Sequence, residues 1–294
     1  MTVEDARIHL RCWGDPTAPG LVLLHGGSAH SGWWDHIAPA LTGTHRVVAP
    51  DFSGHGDSDR RAGYDTHQWA REVAAAAGAG GITSPYTVIG HSMGGLVAAI
   101  AAAHYGDRLD GIVMIDTPLR DHTDPERLRK SKQPPKSYPT REAILDRFTT
   151  RPPQEILSYV RAHVAAESIR EIDGGWGWKY DMKIIGDRPR LRALLPNRRC
   201  RAAVLCSESG LVPPAMAEEI SALLGPKAPV LRLPATGHHP MFDQPLAVIA
   251  ALRTVLAYWS LLPGREVGGR GELPLGLEVR DACTQRVERA VEGL

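Results

Sequence analysis

Six short apolar runs recur along the chain, and each ends in Gly, Asp, Ser or His: "GLVLLHGG" (20–27), "HRVVAPD" (45–51), "YTVIGHS" (86–92), "DGIVMIDTP" (110–118), "RAAVLCSE" (201–208) and "APVLRLPATGH" (228–238). Hydrophobicity inside them is continuous rather than alternating, the pattern of strands covered on both faces, as in a parallel sheet. Helix-like stretches separate the runs at 33–41, 66–77, 94–104, 213–224 and 245–259. In the last of these, Val248, Ile249, Leu252, Val255, Leu256 and Trp259 repeat at helical intervals and define one buried face. Strand alternating with helix implies a right-handed, doubly wound α/β sheet. Ligands of such sheets bind beyond the carboxyl ends of the strands, which is where the polar residues collect.

The alternation breaks between about 119 and 196, a stretch rich in charge and Pro with helix patterns at 140–148 and 153–166 and no strand run. Its simplest reading is a helical cap over the site. The expected organisation is therefore a core of residues 1–118 and 190–262, a cap of 119–189, and a tail of 263–294. The tail begins as a Gly-rich linker, and its weak amphipathic pattern (Val279, Cys283, Val287, Ala290, Val291) allows one helix. Within the cap, "GGWGWKYD" (174–181) is odd for a purely solvated surface: Trp176, Trp178 and Tyr180 either line an apolar pocket or join cap to core.

Composition removes several classes of function. The 34 Lys and Arg balance 33 Asp and Glu, so no net field draws nucleic acid or an anionic surface. The basic groups "RLRKSK" (127–132) and "NRRCR" (197–201) lack interleaved aromatics and read as solvated faces. No apolar run is long enough to span a bilayer, and the acidic N-terminus does not resemble a secretory signal. Four scattered cysteines without a CxxC pair suggest a reducing, cytoplasmic setting. There is no H-E-x-x-H, Walker A loop or dinucleotide glycine motif, and no local metal-ligand pattern, so no metal is expected. The expected partner is a small-molecule substrate rather than nucleic acid or membrane, with a homodimer left open.

The chemistry centres on "VIGHSMGG" (88–95), which contains G-x-S-x-G between an apolar run and a helix pattern. That context places Ser92 on a sharp strand-to-helix turn, crowded enough to require Gly90, Gly94 and Gly95. A serine hydroxyl needs a base at neutral pH. His238, after the last strand run and before the final helix pattern, would reach the same sheet edge. The oxyanion formed by serine attack needs backbone N–H donors, and position nominates the amides of Gly27 and Met93.

At this point the chain resembles the α/β-hydrolase superfamily over about residues 5–262, on "LLHGGSAHSGWW", "VVAPDFSGHGDSD" (47–59), "GHSMGG" and "GHHPMFDQP" in that order. The resemblance implies a mostly parallel eight-stranded sheet with helices on both faces, a helical cap after the sixth strand, and no cofactor. It also implies Ser92 as nucleophile, His238 as base, and Gly27 and Met93 as oxyanion donors. The loop "FSGHGDSD" takes a structural role by the same likeness.

The third triad member departs from the pattern. Where the family usually places an aspartate after its seventh strand, this chain has "CSESGLVPP" (206–214), with Gly210 at the expected position. Two carboxylates compete for the role: Asp116, ending the sixth-strand run "GIVMID", is preferred, and Glu208, two residues before Gly210, is the alternative. The expected activity is serine hydrolysis of an ester, thioester, lactone or activated C–C bond in a small, fairly apolar substrate. A cofactor-free haloperoxidase-like enzyme would share the same triad, and the irregular acid loop leaves room for a biosynthetic lyase or cyclase, or a ligand-binding receptor, on the same fold.

Overall fold

All six apolar runs form strands in the computed structural model of the protein, which describes residues 1–120, 125–186 and 189–262. In chain order the strands are β1 (Thr2–Val3), β2 (Ala6–Arg7), β3 (Leu10–Trp13), β4 (Gly20–Leu24), β5 (Arg46–Pro50), β6 (Tyr86–His91), β7 (Leu109–Ile115), β8 (Ile169–Ile172), β9 (Gly175–Trp178), β10 (Arg201–Ser209) and β11 (Val230–Gly237). The central sheet runs β11-β10-β7-β6-β4-β5-β3. Its pairings are parallel except at the edge, where β3 runs antiparallel to β5.

The α/β-hydrolase architecture is as expected, with one correction. The sheet has seven strands among the described residues rather than eight, because the first residues pair with each other as a separate β1–β2 ribbon. The excursion placed after the sixth strand accordingly follows the fifth strand of the sheet, β7.

Successive strand residues face opposite sides, so the continuous apolar runs feed two cores at once. Val22, Leu24, Val48, Val88, Ile112, Met114 and Val204 pack on one side, with α1 (Thr66–Ala79), α2 (Met93–Tyr105) and the helix Pro214–Leu224. Leu21, Leu23, Val47, Ile89, Val113, Ile115 and Leu205 pack on the other, against the helix Pro245–Leu261. The helix expected at 33–41 is instead two 3-10 turns, Ser31–Trp34 and Ala38–Leu41. Pro39 lacks the amide that a continuous helix would use, and burial of Trp33 and Trp34 fixes the first turn against the sheet.

Between β7 and Leu191 the chain leaves the sheet and forms the short helices Pro125–Ser131, Arg141–Leu145 and Ser158–Glu167. The expectation of no strand here is corrected, since β8 and β9 pair as an antiparallel hairpin. The Asp173–Gly174 pair at its turn is the residue type a tight hairpin favours. The expected tail, residues 263–294, lies outside the described residues. Among the described residues no helix is long and apolar enough to cross a membrane.

Candidate active site

Ser92 follows β6 directly and begins the turn into α2. Its backbone has φ 51° and ψ −111°, a conformation that L-residues enter only under constraint. The constraint is visible in the neighbouring glycines. A Cβ on Gly90 would lie 2.2 Å from the Gly94 carbonyl oxygen, one on Gly94 2.5 Å from the Leu24 carbonyl oxygen, and one on Gly95 1.9 Å from Thr117 Oγ1. The helix can therefore approach the sheet closely only with bare backbone at these positions, which is the role expected of them. Ser92 N–H donates to the Ile115 carbonyl at 2.9 Å, tying the turn to the neighbouring strand.

His238 lies just past β11, 3% exposed. Its Nε2 is 3.1 Å from Ser92 Oγ, and its Nδ1 is 2.6 Å from Asp116 Oδ2. A carboxylate only accepts, so Nδ1 carries the proton and Nε2 is left to accept the serine hydroxyl. Asp116 is fully buried, and its Oδ1 and Oδ2 also accept the amides of Ser207 at 3.2 Å and Leu211 at 2.7 Å. It sits at φ 42°, in the left-handed region that Asp and Asn tolerate better than most residues.

Between the two carboxylates, the geometry joins Asp116 to the histidine. Glu208 is exposed and its Oε2 accepts the Ala235 amide at 2.8 Å instead. Sheet order explains the difference. β10 lies beside β7 with Leu205 opposite Ile115, which puts the residue after Ile115 against the β10 loop. A Cβ on Gly210 would fall 2.3 Å from Asp116 Oδ2 and 2.4 Å from Oδ1. The carboxylate of Asp116 thus fills the space that a side chain at 210 would need.

Gly27 and Met93 both line the cavity that contains Ser92 and His238. Met93 is the first residue of α2, whose amide has no acceptor within the helix, and among the described residues the amide of Gly27 also donates to no protein group. His25 supports this loop: Nδ1–H donates to the Gly26 carbonyl at 2.7 Å while Nε2 accepts the Phe52 amide at 3.1 Å. Burial lowers its pKa, which keeps the ring neutral as this pairing requires. Asp51 joins the "FSGHGDSD" loop to the same region by accepting the amides of Ser31 at 2.5 Å and Asp57 at 2.9 Å.

The cavity has a volume of about 590 Å³. Trp178 and Tyr180 line it, whereas Trp176 does not; its backbone exchanges two hydrogen bonds with Tyr138, at 2.7 and 2.9 Å. Several neighbours of the site carry no strong sequence signal. His91, the variable residue inside the serine motif, donates from Nε2 to the His238 carbonyl at 2.8 Å, and burial lowers its pKa well below the ordinary histidine value. Gln154 clamps the histidine loop from the inserted segment: Oε1 accepts the His239 amide at 2.8 Å, and Nε2 donates to the His239 carbonyl at 3.1 Å and to Asp243 at 3.0 Å. Position inside or next to a motif could have found His91 and Asp243, while Gln154 is marked only by its fold.

One histidine cluster resembles a metal site in composition. His91, His238 and His239 place ring nitrogens within 4.8 Å of one another. Both nitrogens of His238 and Nε2 of His91 are already engaged, so the arrangement serves hydrogen bonding to Ser92 better than metal coordination.

The sequence profile of the alpha/beta hydrolase family matches residues 21–252. An esterase of Mycobacterium tuberculosis is 28% identical over 267 residues, covering 86% of this chain and 88% of that protein. Pyrrolizixenacetamide deacetylase of Xenorhabdus hominickii is 39% identical over 103 residues, so this chain matches 38% of that protein's length. The thioesterase domain from the curacin biosynthetic pathway superposes with a TM-score of 0.73 at 19% identity, over 86% of this chain and 97% of that one, and shares the fold.

Proposed function

From the premise that the chain belongs to the alpha/beta hydrolase family, we propose that it is a serine hydrolase acting on an ester, thioester or lactone of a small molecule through an acyl-enzyme at Ser92. The observation that carries this reading is the hydrogen-bonded line from Ser92 Oγ through His238 to Asp116, at 3.1 and 2.6 Å, opening onto a cavity. The esterase and deacetylase relatives support the same reaction class.

His238 Nε2 takes the hydroxyl proton as Oγ attacks the substrate carbonyl, and Asp116 holds the ring orientation and stabilises the imidazolium. The carbonyl oxygen becomes an oxyanion, received by the amides of Met93 and Gly27. Collapse of this intermediate releases the alcohol or thiol, which takes the proton from His238 and leaves the acyl group on Ser92. Water activated by the same histidine then frees the acid and regenerates the serine. Trp178 and Tyr180, with Trp33, give the substrate an apolar wall.

Steady-state hydrolysis of p-nitrophenyl acetate tests the proposal. Ser92→Ala should lower kcat by about 10⁴-fold or more with the fold intact. Undiminished turnover in that variant would remove the serine from the reaction.

A further inference from the structure

Among the described residues the cavity wall around Ser92 is one-sided in charge: Arg120, Lys136, Arg147, Arg151 and Lys179 line it, and no described Asp or Glu does. This asymmetry is not inherited from the chain, whose 34 cations and 33 anions balance. Lys179 is already paired, its Nζ 2.9 Å from Asp57. Lys136, Arg147 and Arg151 make no ion pair among the described residues, and all three are exposed at the mouth.

The two arginines also sit on an anchored stretch of the cavity wall. They flank Phe148–Thr150, a segment anchored where Arg161 donates to the Phe148 carbonyl at 3.2 Å and Thr150 Oγ1 accepts the Gln154 amide at 3.2 Å. The charge of Arg151 acts on the Tyr180 phenol in the cavity, opposing the rise that burial gives it. The same wall also carries the apolar side chains of Trp33, Leu96, Phe148 and Trp178.

We infer that the substrate carries a carboxylate or phosphoryl group at the end remote from the scissile carbonyl, received at the cavity mouth by Arg147, Arg151 and Lys136. The reaction at Ser92 rests on the proposed hydrolase function; the anion-binding mouth does not. Arginine suits this task because its planar fork can meet two oxygens of one anionic group. Exposure at the mouth makes the attraction salt-sensitive. The substrate is therefore an apolar body with one charged end, rather than apolar throughout.

The test compares two p-nitrophenyl esters of equal chain length, the neutral valerate and the anionic mono-glutarate. At low ionic strength kcat/KM should favour the glutarate by about ten-fold, with the preference shrinking at high salt. In the Arg147→Gln/Arg151→Gln protein the ratio should fall to about one, while Lys227→Gln, an exposed cation away from the cavity, keeps the wild-type ratio. Equal or reversed preference in the wild type, or an unchanged ratio in the double variant, overturns the inference.

Binding separates its failure from that of the hydrolase reading. Calorimetry on Ser92→Ala should show monomethyl glutarate binding at least ten-fold tighter than dimethyl glutarate, and the added arginine substitutions should abolish the difference. Anion binding without turnover of either ester would leave the mouth site standing and remove the hydrolase. Turnover of the neutral ester without anion binding would do the reverse. Methyl 4-phosphonobutyrate in the same titration assigns the end group: tighter binding than monomethyl glutarate indicates a phosphoryl group, and weaker binding a carboxylate.

Discussion

Gly210→Ala should disable the site without touching any group that meets the substrate. The new Cβ would stand 2.3 and 2.4 Å from the two oxygens of Asp116, where ordinary contact begins near 3.4 Å, so the carboxylate must retreat. A retreat of about 1 Å stretches the present 2.6 Å contact with His238 Nδ1 beyond hydrogen-bonding range. Misplacement of that size costs about 100-fold in rate, or about 2.7 kcal/mol of barrier. The backbone at 210 is not in the left-handed region, so alanine itself is tolerated there and the loss traces to the carboxylate. Asp116→Asn, which keeps a residue suited to φ 42°, should cost about 10⁴-fold because the amide cannot enforce the required tautomer. Glu208→Gln should change the rate little. Gly78→Ala on α1, where a Cβ meets nothing within 4 Å, is the matched control and should keep full activity. The assay is kcat for p-nitrophenyl acetate beside a thermal melt of each variant. Full activity in Gly210→Ala, or a rate loss accounted for by unfolding, would refute the reasoning.

Three further outcomes follow from the same structure. His25, His91, His30 and His239 are buried, and burial lowers their pKa values, His30 to about 4 and His239 to about 3. Their folded pKa values lie below the unfolded value of about 6.5, so the unfolded chain binds protons first as pH falls. Stability is complete above about pH 6.5 and drops toward pH 4, by about 1 kcal/mol per group per pH unit, which urea melts at pH 7.5 and 5.5 would register as a lower midpoint at the acid end. Replacing Ser92 by Gly should relieve its strained φ and stabilise the fold by about 1 kcal/mol relative to Ser92→Ala, seen as a higher melting temperature. Gln154→Ala removes the clamp on His239 and Asp243, and should lower kcat several-fold with a smaller change in KM, as steady-state kinetics would measure.

What could be read from the chain ahead of its structure follows a physical divide. The five inner strands β4, β5, β6, β7 and β10 were legible because burial on both faces writes a long apolar run into each, and the edge strand β11 was legible from its apolar start Val230–Leu231 and its closing Gly-His. β3 was not, because its half-buried edge residues carry no such run. The β8–β9 hairpin was hidden inside a charged stretch, where the only local mark is the turn signal of "IDGG". Ser92 and His238 stood out because each has a local motif. The choice between Asp116 and Glu208 could not be made locally, since it depends on β10 lying beside β7 in a register that brings Gly210 onto the Asp116 carboxylate. Gln154 had no signal at all: it acts across 85 residues of sequence, on a backbone its neighbours do not announce.

If Ser92 is an activated nucleophile in a site held by His238 and Asp116, it should react with a serine-directed electrophile. Intact-protein mass spectrometry after treatment with a fluorophosphonate probe tests it most directly. A single covalent adduct should map to Ser92, be absent in Ser92→Ala and form far more slowly in Asp116→Asn. A wild-type protein that takes up no label, or one labelled equally well without Ser92, would contradict it.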